Sequence, residues 1–246
     1  MEQTTYILSD GTTVKSWDDF RLRKIERTKI TPPVRQTKKV KIPGANGSTD
    51  LRPYLTATPT YDARTLTDTF VYIKGQRRWE SVKTLLYHLI NGNDVKIVED
   101  RDPWYYWQGT AAVTEVSDGR DVLKLKISAE IFPYKYERFS SVEDWPWSPF
   151  DFNTGVIRDY RAITVSGTKS FTIPCLDLPV IPGFWTSDSG MSVTYGGVTG
   201  NLTQRSASQD PKTYEQFADI VLPGGDRTLT LAGTGKIDIF YRGGRL

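Results

Sequence analysis

A chain of 246 residues carries a single cysteine, Cys175, and a single histidine, His88. One cysteine excludes an intrachain disulfide and a cysteine cluster for zinc, so the fold must rest on its apolar core. One histidine, with no nucleophile or second ligand close to it in the sequence, leaves neither a nucleophile triad nor a metal site to expect. No cofactor motif stands in for them. Long apolar runs are also missing: nowhere do about 18 apolar residues follow one another. The opening MEQTTYILSDGTT is polar and acidic where a secretory signal is basic and then apolar. Synthesis and folding in a cytoplasm, without membrane insertion, is the expectation. Net charge is small, +3, which is little for a partner that is a polyanion. One stretch departs from that balance. Arg21, Arg23, Lys24, Arg27, Lys29, Arg35, Lys38, Lys39 and Lys41 are opposed only by Glu26, but no aromatics interleave them for base stacking. They read as a solvated strand face or one rim of a subunit contact.

What is present is mostly period-two alternation. In DVLKLKISAEIF, Leu123, Leu125, Ile127, Ala129 and Ile131 fall on one face and Lys124, Lys126, Ser128 and Glu130 on the other, a half-buried antiparallel strand. Asp118-Gly119 suits a hairpin turn, with YYWQGTAAVTEV as the preceding arm. One segment breaks the rhythm: Trp79, Val82, Leu86, Leu89 and Ile90 recur at helical spacing and Gly92 follows as a stop. His88 lies off the centre of that stripe. The helix sits between two strand-like runs, which makes the first half α+β. Near DWPWSPFDFNTG the pattern lapses into a connector. Beyond it RAITVSG, KSFTIPCLDL, MSVTYGG, FADIVLPGG, RTLTLAG and KIDIFYRGG are short β-rich runs parted by glycine turns, the pattern of a β-sandwich.

Three groups of residues invite chemistry. EDRDPWYYWQG, residues 99 to 109, sets Glu99, Asp100 and Asp102 beside aromatics. A glycan hydrolase needs two carboxyl groups on opposite sides of a sugar, whereas these three end one strand and begin a turn, so a charged turn is the simpler reading. Strand alternation sends Trp104 and Tyr106 to one face and Tyr105 and Trp107 to the other. Such a split does not make a sugar platform, and these four residues are candidates for contact with a neighbouring subunit. IPGANGSTDL lacks the lysine and hydroxyl of a P-loop and reads as a tight loop with Gly44 and Gly47 at positive φ. Finally, Trp145, Trp147 and Trp185 suit a carbohydrate-binding module for host cell-wall glycans, as an alternative function, or contact with a partner. Trp145 and Trp147 equally suit packing of the connector onto a domain.

In order along the chain, these pieces resemble the distal tail protein (Dit) family of long-tailed, siphovirus-type bacteriophages. WDDFRLRKIERT leads to VKIPGANGSTDL, which is similar to the family's apolar strand and Gly-x-x-Gly turn. YDARTLTDTFVYI and WESVKTLLYHLING resemble the next strand and the family's single helix. VKIVEDRDPWYYWQGTAAV resembles the strand, acidic turn and Tyr-Tyr-x-Gly-like strand start, with Trp107 and Gln108 lengthening the spacing before Gly109. LKLKISAEIFPYKY resembles the closing strand of the first domain, and IVLPGGDRTLTLAGTGKIDIFYRGGRL is similar to the end of a galectin-like sandwich. The resemblance implies a mainly β protein: a ring-forming α+β domain over 1–138 (a β-sandwich with one helix and a hairpin), a linker over 139–155 and a galectin-like β-sandwich over 156–246. It implies a structural protein, not an enzyme, located at the virion tail tip. A homo-hexameric ring would surround a channel through which DNA passes without specific binding. Its partners would be the tail tube protein, the tail-associated lysin or tail fibre protein, and receptor-binding or baseplate proteins. Galectin sugar contacts do not carry over, because the only histidine lies in the other domain.

Overall fold

In a computed structural model the chain divides into two compact units, Met1–Lys135 and Tyr136–Leu246. The structure describes every residue except 1, 45, 53–57, 74–77, 119–122 and 145–158, and describes Asp118 by its backbone alone. Both units are built mainly from strands, so the chain is mainly β, as the alternation predicts.

The first unit contains β1 (Thr4–Leu8), β2 (Thr13–Lys15), β3 (Leu22–Lys24), β4 (Lys29–Ile30), β5 (Lys39–Val40), β6 (Thr49–Asp50), β7 (Arg64–Tyr72), α1 (Trp79–Leu89), β8 (Asn93–Glu99), β9 (Tyr105–Asp118) and β10 (Leu123–Ile131). Its main sheet runs β2-β1-β8-β9-β10-β7-β3, each neighbour antiparallel. β4 follows β3 along the same edge of β7. β10 alternates as its sequence dictates: Leu125, Ile127, Ala129 and Ile131 are buried while Lys124 and Glu130 are exposed. β9 and β10 pair from Asp118–Leu123 to Gly109–Ile131, with Thr114 left over as a bulge that bends the ribbon. The residues that turn this hairpin, 119–122, lie outside the described set. Gly109 is required where it stands, since a Cβ there would meet the Glu130 carbonyl oxygen at 1.9 Å.

α1 forms where the helical period was read, and it covers the sheet through Val82, Leu86 and the capping Ile90, all buried. Each such side chain contributes about 1.5–3 kcal/mol by leaving water. Asn93 closes the helix by donating its amide N–H to the Leu89 carbonyl at 3.0 Å, and Gly92 takes φ +77° just beyond the last turn.

The sheet curls back on itself. β1 and β7 stand four places apart in the strand order, yet the hydroxyls of Thr4 and Tyr6 both donate to Asp68 Oδ2 on β7 at 3.1 Å. Between the two flanks lies one core that includes Tyr6, Phe20, Leu66, Phe70, Ile97 and Leu125.

The second unit follows β11 (Lys135–Glu137) with β12 (Ile163–Pro174), β13 (Gly183–Thr186), β14 (Ser192–Tyr195), β15 (Val198–Asn201), β16 (Glu215–Gln216), β17 (Asp226–Phe240) and β18 (Gly244–Arg245). Its sheet runs β15-β14-β17-β13-β16, with β12 along the other side of β17. Here the structure corrects the reading of short strands parted by glycine turns. RAITVSG and KSFTIP are one strand, and so are RTLTLAG and KIDIF. Gly167 and Gly233 face each other within the β12–β17 ladder at φ +78° and +126°. With no Cβ to clash, they bend a continuous ribbon instead of ending it. FADIVLPGG forms no strand beyond the single bridge of Leu222 to Val180. Of residues 139–155, Ser140 and Ser141 are buried in this unit, and Ser141 Oγ donates to the Ile239 carbonyl at 2.7 Å. Residues 145–155 fall outside the described set.

Candidate functional site

The acidic turn joins β8 to β9 and forms one wall of a cleft of about 290 Å³ in the first unit. Its other walls come from the start of β1, from Lys24 at the end of β3 and the loop after it, and from Lys135. Positive and negative groups alternate around it, and each acid is engaged. Glu99 lies 3.7 Å from the Lys24 ammonium. Asp100 accepts the Gln3 backbone N–H at 3.0 Å, and Asp102 meets Lys135 at 2.5 Å. Arg101 pairs with Glu2, whose carboxyl is held below its ordinary pKa by that hydrogen bond, while the guanidinium is raised in turn. Carboxylates held this way position backbone and neighbouring side chains.

Behind the cleft lies a polar node that the sequence reading missed. Lys24, taken with the basic run as a solvated or rim residue, has a side chain only 6% exposed and sits 2.9 Å from the fully buried Asp68. The correction follows from the strand. Leu66, Asp68, Phe70 and Tyr72 share one face of β7, so alternation delivers a carboxylate into the core, where it needs a cation and hydrogen-bond donors. Thr28 Oγ1 at 2.7 Å, Thr4 and Tyr6 complete the set. Burial and the Asp68 charge push the Tyr6 phenol well above its usual pKa, which keeps it a donor. The signal was the one acidic residue on an otherwise apolar face.

From the β4–β7 edge of the same unit an arm departs. Its two sides are held by Asp62 N–H to the Val34 carbonyl and Gln36 N–H to the Thr60 carbonyl, both 2.9 Å. Beyond these, β5 and β6 pair only with each other among the described residues. Asp50 fastens them by accepting the Lys38 and Arg52 backbone N–H groups, which hold its carboxyl below the ordinary range. Val34, Val40 and Ile42 are exposed, Val34 by 60%, beside Lys38, Lys39 and Lys41.

No protein-family model and no curated protein matches the sequence. Among solved structures, the crystal structure of SPP1 Dit (gp 19.1), a protein presented as a paradigm of the hub adsorption apparatus in phages that infect Gram-positive bacteria, is similar over 100% of this chain and 100% of its own. The TM-score is 0.54 and the identity 13%. The fold is Dit-like.

Within this Dit-like fold the aromatics of the acidic stretch are largely used inside the chain. Trp107, 9% exposed, belongs to the core with the Arg64 guanidinium 4.9 Å from its ring centre. Tyr106 is buried as well, with Lys96 over its ring at 5.2 Å. Tyr105 carries Lys135 at 4.4 Å. Trp104 and Tyr105 are half-buried and keep the surface that the group retains. Of the tryptophans considered for sugar, Trp145 and Trp147 lie outside the described residues. Trp185 is 7% exposed, with Lys212 Nζ 4.0 Å from its ring centre and its indole N–H directed to Gln209. A ring so covered offers little face for stacking. His88 is exposed on α1. Among the described residues no group of three or more His, Cys, Asp or Glu is placed to hold a metal, and no helix is long and apolar enough to cross a membrane.

Proposed function

We propose that this chain is a structural subunit of a bacteriophage tail tip, a distal tail protein whose first units close into a homo-hexameric ring that DNA crosses without specific recognition. One face of the ring meets the tail tube protein and the other the tail fibre or tail-associated lysin protein. The second unit is read as the galectin-like module that serves receptor-binding or baseplate proteins. One observation carries the reading: the likeness in fold to a phage hub protein extends over the whole of both chains. Two more support it. The arm presents exposed Val34, Val40 and Ile42 among lysines, a surface suited to a contact with the unlike patch of a second copy, and such heterologous contacts close into rings. The acids of the charged cleft are tied to lysines, arginine and backbone, an arrangement that serves architecture and not proton transfer. Negative-stain electron microscopy of the purified chain, alone and with its tail tube protein, tests the proposal: rings with an open centre are expected. Isolated particles in both samples contradict it.

A further inference from the structure

We propose that Asn46, at the tip of the arm, is a site of spontaneous deamidation, and that the fold protects Asn91, the other asparagine followed by glycine. The backbone nitrogen of Gly47 attacks the side-chain carboxamide carbon of Asn46. A new C–N bond closes a succinimide, the bond to the side-chain nitrogen breaks, and ammonia leaves with the proton from the backbone nitrogen. Water then opens either carbonyl of the ring to give aspartate or isoaspartate. One water is consumed, one ammonia is released, and nothing is oxidised or reduced.

Two conditions govern that attack: the following residue must not hinder its own nitrogen, and neither reacting group can be tied down. Asn46-Gly47 meets both. Both residues are exposed, Gly47 takes φ +83° with nothing within 4 Å of where a Cβ would stand, and no hydrogen bond engages either residue among those described. Asn91-Gly92 meets only the first. Gly92 N–H donates to the Ala111 carbonyl at 2.8 Å, and Asn91 Oδ1 accepts the Val113 N–H at 3.1 Å, so β9 holds both the nucleophile and the carboxamide. Reaction there needs local opening of the α1–β9 contact. The product at Asn46 places a negative charge beside Lys38, Lys39 and Lys41 and, as isoaspartate, reroutes the backbone of the turn. The exposure that permits it is that of the single chain.

Peptide mapping tests the proposal. The full chain is incubated in warm, mildly alkaline buffer, native and in denaturant, and digested with trypsin. The peptide Ile42–Arg64 contains Asn46 as its only amide side chain, and Thr84–Lys96 contains Asn91. In the native protein, Ile42–Arg64 is expected to gain the mass of a water less an ammonia and to split into two isomers at least about tenfold faster than Asn91 reacts. In denaturant the two sites react at comparable rates, and Asn46→Gln abolishes the gain in Ile42–Arg64. Native Asn91 reacting as fast as Asn46, or Asn46 persisting in the native protein while both react in denaturant, overturns the proposal. So does a mass gain in Ile42–Arg64 that survives Asn46→Gln.

Discussion

Asp68 in the first unit and Asp238 in the second are both buried carboxylates paired with a lysine, and they differ in where the lysine stands. Lys24 is enclosed, its side chain 6% exposed, and Asp68 further accepts Thr4, Tyr6 and Thr28. Lys212 is partly in solvent at 35%, reaching Asp238 at 2.5 Å, and among the described residues the other donor to that carboxylate is the Ala162 backbone N–H at 2.7 Å. The difference follows from how each unit is closed. A curled sheet leaves its flanks unjoined by backbone ladders, so the first unit fastens β1, β3 and β7 through one polar node. The second unit needs no such node, because β12 pairs with β17 from Ile163 to Pro174 and apolar side chains fill the remainder. A polar fastener specifies one arrangement but is vulnerable, since losing one member strands the others in the core.

Substitution at the two carboxylate pairs is the strongest way to break that comparison. Asp68→Ala leaves Lys24 buried without its main partner and is expected to cost about 3–5 kcal/mol. Hydrogen exchange read by mass spectrometry reports the two units separately, and the loss is expected in β1, β3 and β7. A cost below about 1 kcal/mol would make the node dispensable. Next comes Gly109→Ala, at about 2–3 kcal/mol, because the obstruction is the Glu130 backbone, which cannot move without unpairing β9 from β10. Gly200→Ala in the second unit meets only the Phe217 ring, at 2.7 Å, and is expected to cost less in the same assay. Lys212→Ala follows at about 1 kcal/mol, since water reaches the vacated side of Asp238. Smallest is the Glu2–Arg101 pair at the surface. Its depressed carboxyl contributes above the unfolded-state pKa and loses that contribution as pH falls through the folded-state value. Arg101→Ala is expected to return Glu2 to its ordinary range in an NMR titration, with only a slight loss of stability at neutral pH because solvent screens the exposed pair.

Much of this was legible in period alone. The alternation of Leu125, Ile127, Ala129 and Ile131 and the helical stripe of Val82, Leu86 and Ile90 each decide a buried face from a few consecutive residues. The acidic turn from Glu99 to Asp102 was readable for the same local reason. What escaped depends on residues distant in the chain. Gly167 and Gly233 look like turns singly and become bends only when paired with each other. Lys24 belongs by sequence to a basic run and by structure to Asp68, a partner that no spacing rule connects to it. Alternation parts Trp104 and Tyr106 from Tyr105 and Trp107 but does not say which face the curled sheet encloses, and it is Trp107 that joins the core.

Assembly into a ring is tested most directly by mass in solution. Light scattering on the eluting peak, with the tail tube protein added in a second run, is expected to show six copies of the 27.9 kDa chain per particle in at least one of the two runs, once any bound tail tube protein is subtracted. The double change Val40→Asp and Ile42→Asp on the arm is expected to return that species to single chains that are still folded. A strict monomer at high protein concentration in both runs would contradict the account.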